Sequence, residues 1–248
     1  MEQRLQGKRA LITGGSRGIG AGIVRRLAAE GADVALTYAS SPDRANEVVA
    51  AVAALGVRAL AIQADSADAT AVAAAVEHAA AELGGLDILV NNAGVLSFAS
   101  IDDFKLEDFD RTIAVNIRAV FVASQAAVRH MTEGGRIINI GSTNAERMPF
   151  GGGAVYSMSK SALQGLAKGF ARDLGSRGIT INNVQPGPVN TDANPENGPF
   201  AETLKDQFNA IPRFASVEEI AGMVAYLASA EAGYITGSSL MIDGGFSA

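Results

Sequence analysis

The stretch RALITGGSRGIGAGIVRRLAAE, residues 9 to 30, decides the fold. Arg9 to Thr13 is an apolar run of strand length, and from Ile19 to Glu30 the apolar residues recur at helical spacing. Between them stands Thr13-Gly14-Gly15-Ser16-Arg17-Gly18-Ile19-Gly20. Glycine allows a tight turn and close backbone approach there, so that free amides at the helix start can face a pyrophosphate. The spacing is Gly14-x-x-x-Gly18-x-Gly20 rather than G-x-G-x-x-G, and alone it equally describes a glycine turn into a helix. Its position directly after the first strand favours a nucleotide cradle.

Outward from this unit the same alternation continues. Strand-length apolar runs follow at 33–38, 57–63, 86–91, 136–141, 179–185 and 239–242, with helical stretches between them. The runs are too apolar to leave one face wet, which predicts a parallel sheet covered on both sides: an α/β, doubly wound fold of the dinucleotide-binding kind. The alanine-rich segments at 45–55 and 67–83 read as ordinary packing helices of high propensity. One domain over residues 1–248 is expected, with a Pro- and Gly-rich flap at about 190–214.

Composition excludes several function classes. The 248 residues are 48% hydrophobic and 19% charged, with 28 glycines, which suits a large core with tight turns. A net charge of −6 and no basic run argue against nucleic acid or an acidic membrane surface as partner. There is no cysteine, hence no disulfide, thiolate nucleophile or usual zinc site. No metal is expected. His78 and His130 fall in helical patterns and read as surface positions, which leaves little for a serine–histidine hydrolase. Neither a signal peptide nor a membrane span is legible, so the expectation is a cytoplasmic protein.

The end of the second strand reads Thr37-Tyr38-Ala39-Ser40-Ser41, without the carboxylate that would bond a ribose 2′-hydroxyl and repel a 2′-phosphate. Arg17 adds a cation in the glycine turn, and Ser40, Ser41 and Arg44 supply donors, so NADP(H) is expected over NAD(H). Asp65 and Ser66 read either as a helix cap before Ala69 or as contacts to the adenine edge. Asn91-Asn92-Ala93-Gly94 closes the fourth strand, where small residues let the chain pass a cofactor ribose and Asn91 can tie neighbouring strands.

The chemistry falls on Ser142, Tyr156 and Lys160. Tyr156 and Lys160 are four apart and share a helix face. A free tyrosine, with its pKa near 10, is a poor acid or base at neutral pH, and a nearby ammonium together with a cationic nicotinamide is expected to lower it. Tyr156 then acts as general acid in ketone reduction and as base in reverse, with Ser142 bonding the substrate oxygen. Asn116 lies in a helical run among apolar neighbours, as a satisfied core amide or as one that interrupts the helix and holds a water. Leu96, Asn144, Met148, Phe150 and Val189, with Phe200 from the flap, are the expected hydrophobic substrate pocket. The flap aromatics equally read as pins to the core.

These residues, with Pro186-Gly187-Pro188-Val189-Asn190-Thr191 and the ending YITGSSLMIDGGFSA, resemble the short-chain dehydrogenase/reductase family over essentially the whole chain. The resemblance implies a Rossmann sheet of seven parallel strands and a catalytic tetrad of Asn116, Ser142, Tyr156 and Lys160. It also implies that Ile19 lies near the pyrophosphate, Asp65 and Ser66 near adenine, and Val189 and Thr191 near the nicotinamide amide. Lys160 would grip the nicotinamide ribose. The chain is similar to the 3-oxoacyl-carrier-protein reductase branch, but the loop at 130–135 lacks that branch's basic character, which ranks a small free ketone or aldehyde first. A carrier-bound acyl substrate and a non-catalytic nucleotide-binding regulator are the alternatives. Apolar surfaces on the helices at 115–128 and 156–174 predict a homotetramer, consistent with the family.

Overall fold

A computed structural model of the protein describes residues 3–248. Its strands are β1 (Arg9–Ile12), β2 (Asp33–Tyr38), β3 (Ala59–Gln63), β4 (Ile88–Asn91), β5 (Arg136–Ile140), β6 (Thr180–Pro186) and β7 (Ser239–Ile242). They form one seven-stranded sheet in the order β3-β2-β1-β4-β5-β6-β7, every pairing parallel. The order reverses between β1 and β4, so the crevice above their C-terminal ends is where a doubly wound sheet binds its ligand.

The helices are α1 (Gly18–Ala29), α2 (Pro42–Ala53), α3 (Ala69–Leu83), α4 (Leu106–Ile113), α5 (Ala119–Ala127), α6 (Ala154–Leu174), the single turn α7 (Ala201–Thr203) and α8 (Val217–Ala228). Adjacent strand residues point to opposite faces, and both faces are buried. Ile12, Leu36, Ile138 and Val184 pack with Ile23, Leu27, Ile220 and Val224 of α1 and α8. Leu11, Leu89, Ile137 and Ile181 pack on the other side with Val76, Leu83, Ala123 and Ala167 of α3, α5 and α6. That two-sided burial is why the strands read as continuous apolar runs.

Two strands start later than the sequence suggests, β3 at Ala59 and β4 at Ile88. The residues just before them are engaged otherwise. Arg58 bonds Asp33 through its backbone N–H and its guanidinium, and Asp87 takes the Arg9 guanidinium at 2.7 Å. The expected helix at 67–83 begins at Ala69, because its cap is Asp68, whose carboxylate accepts from the N–H groups of Thr70 and Ala71. Asp65, expected as a cap, instead turns the chain by accepting from the N–H of Ala67. Among the described residues no helix is long and apolar enough to cross a membrane.

Candidate active site

The cradle is built from β1, the turn, α1, and the ends of β2 and β4. Gly14 has φ 65°, a left-handed conformation that favours glycine. A Cβ on Gly20 would lie 2.5 Å from Asn92 Nδ2 and nearer still to the Gly14 carbonyl, so only glycine lets α1 approach the turn. Thr37 Oγ1 accepts from the Gly14 N–H at 3.0 Å. Asn92 Nδ2 donates to the Thr13 and Gly14 carbonyls, while Thr13 Oγ1 accepts from the N–H groups of Asn92 and Ala93. The residue of the NNAG stretch that locks the turn is therefore Asn92, one beyond the Asn91 singled out by sequence. Asn91 does tie strands: it donates to Asn139 Oδ1 at 2.9 Å and to Ser124 Oγ at 3.2 Å.

No side chain caps the start of α1, whose N-cap is the exposed Arg17. The first-turn amides have no protein partner from a cap, an arrangement suited to a phosphate. Ser16 and Ile19 are half-buried beside it. At the end of β2 Tyr38 is half-buried and Ser40 exposed; Ser41 precedes α2 without a side-chain capping bond. Arg44 reaches across to Asp192 at 2.6 Å, so in this structure it clasps the flap instead of standing free as a donor. Ser66 shares a crevice with Thr13, Asn91, Ala93 and Val115.

Beyond β6, a Cβ on Gly187 would lie 2.7 Å from the backbone of Asp243, which fixes the chain close to β7. Pro188 and Asn190 bond Ala215 through backbone groups, with Val189 buried between them. Residues 191–214 therefore leave and return at one point. Thr191 lies over the glycine turn, 3.5 Å from where a Gly18 Cβ would be.

Ser142, Tyr156 and Lys160 lie beyond the C-terminal end of β5 and on α6. Ser142 follows β5 and caps a short 3-10 turn, Thr143–Ala145, its Oγ accepting from the Asn144 N–H at 3.1 Å. Tyr156 and Lys160 lie on α6, and the Ser142 hydroxyl interacts with the Tyr156 phenol. Lys160 is 5% exposed and donates from Nζ to the Ile140 carbonyl at 2.8 Å. Burial without a carboxylate partner lowers its pKa to about 8, which leaves it protonated at neutral pH. In the protein alone this ammonium does not lower the tyrosine. Burial pushes the Tyr156 phenol up, the Ser142 hydroxyl opposes this, and the ammonium, 5.9 Å from the ring centroid, does not reverse it. By itself the chain holds Tyr156 as a protonated acid.

Asn116 does interrupt its helix. Residues Ala114–Arg118 form a π turn between α4 and α5. The side chain accepts from the Val95 N–H at 2.9 Å and donates to the Val95 carbonyl and to Ser159 Oγ, both at 3.0 Å. Both amide hydrogens are engaged, so the satisfied amide is what the geometry displays. Gly94 brings Asn116 and Lys160 together: its Cβ would lie 3.5 Å from Asn116 Oδ1 and from Lys160 Nζ.

Among pocket candidates, Leu96 (52%), Phe150 (41%) and Phe200 (73%) are exposed apolar side chains. Met148 is half-buried and accepts from Asn144 Nδ2 through its sulfur. Sequence reasoning missed Phe98, whose ring lies 6.1 Å from that of Tyr156 and 5.9 Å from that of Phe150. An aromatic in the short loop after NNAG was the available signal. The flap aromatics divide: Phe208 packs on Phe246 at 5.6 Å and pins the flap, whereas Phe200 is left to the surface. His78 is exposed and His130 half-buried against Glu77, both away from this site. No group of acidic and histidine residues that could hold a metal occurs among the described residues.

The family model described as enoyl-(acyl carrier protein) reductase matches residues 14–247. The chain belongs to the short-chain dehydrogenase/reductase family. It is an oxidoreductase of that family. A short-chain dehydrogenase/reductase from Serratia marcescens is 65% identical, with a TM-score of 0.97 over 99% of this chain and 100% of that one. A short-chain dehydrogenase from Burkholderia cenocepacia, solved in complex with NADP, is 55% identical with a TM-score of 0.97 over 99% and 100% of the two chains. An Escherichia coli relative, 52% identical over 98% of each chain, is named a cyclic-di-GMP-binding biofilm dispersal mediator protein.

Proposed function

We propose that this dehydrogenase/reductase catalyses the reversible, NADPH-dependent reduction of a small hydrophobic ketone or aldehyde to an alcohol. The observation that carries this reading is the grouping of Ser142, Tyr156 and Lys160 beside the aromatic rings of Phe98 and Phe150. The residues present fit the cofactor. The uncapped start of α1 and the turn at Gly14 to Gly20 would hold the pyrophosphate, Ser66 and Asp65 the adenine end, and Asn91, Ala93, Gly94, Pro186, Gly187, Val189 and Thr191 the nicotinamide half. No carboxylate closes the end of β2, and the exposed Arg17 supports a 2′-phosphate. The Burkholderia structure with NADP agrees with this preference.

When bound, NADPH supplies the hydride. Tyr156 supplies the proton to the carbonyl oxygen, and its raised pKa keeps the phenol loaded at neutral pH. Ser142 donates to the same oxygen and stabilises the developing alkoxide. The buried Lys160 ammonium lies behind the phenol and favours the tyrosinate left after transfer, through electrostatics in a water-poor site. Asn116, through Ser159 Oγ, which donates to the Tyr156 carbonyl at 2.7 Å, fixes the first turns of α6. The rings of Phe98 and Phe150 favour a hydrophobic substituent on the carbonyl.

The test is NADPH oxidation across a panel of ketones and aldehydes by wild type and Tyr156→Phe. Turnover by wild type, with kcat lowered at least a thousandfold in the variant and unchanged NADPH binding, is expected. Wild type inert towards every carbonyl would sink the reading. A second reading, a dinucleotide-sensing regulator, is favoured by the name of the Escherichia coli relative. Tight cyclic-di-GMP binding by calorimetry without carbonyl turnover would select it. Carrier-bound acyl chains rank lower, since the exposed Arg129 and Arg172 carry the case alone.

The apolar surfaces expected to pair in a homotetramer are present on α5 and α6. Leu163 and Ala167 face the core, while Ala162, Leu166, Phe170 and Ala171 are half-buried and Phe170 packs on the exposed Phe121 at 6.0 Å. This apolar surface supports pairing with a second copy, and light scattering at the monomer mass would refute it.

A further inference from the structure

We infer that Gln185, a residue without an assigned role, positions Ser142 for the reaction proposed above, on which this inference rests. Gln185 lies in β6 opposite Met241 of β7 and is fully buried. Its Oε1 accepts the Ser142 N–H at 2.7 Å. The β5 ladder runs through the Gly141 N–H, which bonds the Val184 carbonyl at 2.8 Å, and then stops. At the next residue a side-chain amide replaces the backbone acceptor. The strand thereby leaves the sheet at Ser142, and the Gln185 carbonyl holds the point of departure. The Ser142 backbone is extended there, φ −167° and ψ 149°, and its Oγ is held on the other side by the Asn144 N–H.

Two further observations single out this amide. A Cβ on Gly141 would overlap Gln185 Oε1, so the chain keeps glycine where the carbonyl must pass. Gln185 Nε2 is buried without a hydrogen-bond partner in the protein. A buried donor left unmatched is destabilising, because it has given up its bond to water. Methionine or leucine would fill the same volume without that penalty. What the amide alone provides is a rigid acceptor aimed at Ser142, and a serine hydroxyl must lie within a few tenths of an ångström of a reacting oxygen to stabilise it. Gln185 touches neither substrate nor cofactor in this account; it acts through Ser142.

Residue-resolved hydrogen exchange and steady-state kinetics test it together. In Gln185→Met, the Ser142 amide should exchange at least tenfold faster while the Gly141 amide, bonded to Val184, keeps its rate. Kinetically, Gln185→Met should lower kcat for ketone reduction tenfold to a hundredfold with NADPH affinity within twofold of wild type. Gln185→Glu, protonated in this buried place, keeps the carbonyl acceptor and should recover most of kcat at pH 6. In the Ser142→Ala background, Gln185→Met should have no further effect, since its partner is gone. Gly141→Ala, which pushes the carbonyl away without deleting it, should reproduce the loss if Gln185→Met does not fold. Equal losses from Gln185→Met with and without Ser142, or unchanged Ser142 exchange, would overturn the inference. Wild type lacking carbonyl turnover would overturn the reaction proposed, while the exchange rates would still decide whether Gln185 holds Ser142.

Discussion

Replacing Lys160 by methionine should abolish reduction yet stabilise the protein. The ammonium is 5% exposed with no carboxylate beside it, and burial lowers its pKa from 10.5 to about 8. Between these values the unfolded chain binds more protons than the folded one, so this group makes stability rise with pH from about 8 to 10.5 and penalises the fold fully below 8. The difference corresponds to about 3 kcal/mol at neutral pH. Methionine removes the charge and also the bond to the Ile140 carbonyl, whose loss is worth about 1 kcal/mol. The net gain is about 2 kcal/mol, or about 4–8 °C in Tm for a chain of this length. Calorimetry without nucleotide at pH 7 and at pH 10.5 measures it. The advantage should be present at pH 7 and absent or slightly reversed at pH 10.5, where wild-type Lys160 is neutral. No gain at pH 7, or the same gain at both, would refute the assignment of a buried, unpaired charge.

Two further outcomes probe the cradle. Gly20→Ala places a methyl against the Gly14 carbonyl and Asn92 Nδ2, and should lower stability by about 1–3 kcal/mol in denaturant titrations and weaken NADPH binding at least tenfold. Arg17→Ala should reduce kcat/KM with NADPH about tenfold, the loss of one charge-assisted contact, and leave NADH unaffected; equal effects on both cofactors would show that Arg17 does not reach a 2′-phosphate.

Strand identity and the parallel, doubly wound class were legible because the central strands are buried on both faces and glycine or asparagine turns stand at strand ends. What escaped was set by side chains from elsewhere in the chain. Asp87 and Asp33 engage Arg9 and Arg58 and delay β4 and β3, and Asp68 takes the cap assigned to Asp65 and Ser66. At the site, the spacing of Tyr156 and Lys160 is local and readable, but the sign of the tyrosine shift depends on how deeply the helix buries the phenol. Gln185 gains meaning from Ser142, tens of residues away, and no short-range pattern marks it; Phe98 carries a local signal, an aromatic in the loop after NNAG, but its contact with Tyr156 is equally distant in sequence.

The position of Ser142 relative to Tyr156 is then set by more than one contact, and the polar residues inside the sheet explain how. Asn91 donates to Asn139, Asn139 to Asn183, and Asn183 to Ser239 Oγ, linking β4, β5, β6 and β7 at matched register positions. Asn183 also donates to the Leu163 carbonyl of α6, one turn beyond Lys160. Apolar side chains could fill this layer, but they would tolerate small slips between strands and helix that directional bonds do not. The chain of amides therefore ties the strand before Ser142, the strand that carries Gln185 and the helix that carries Tyr156 and Lys160 to one another, through Asn139 three residues before Ser142 and Leu163 three residues after Lys160. A hydroxyl on one element and a phenol on another are thereby held in a fixed relation, as the proposed proton transfer requires.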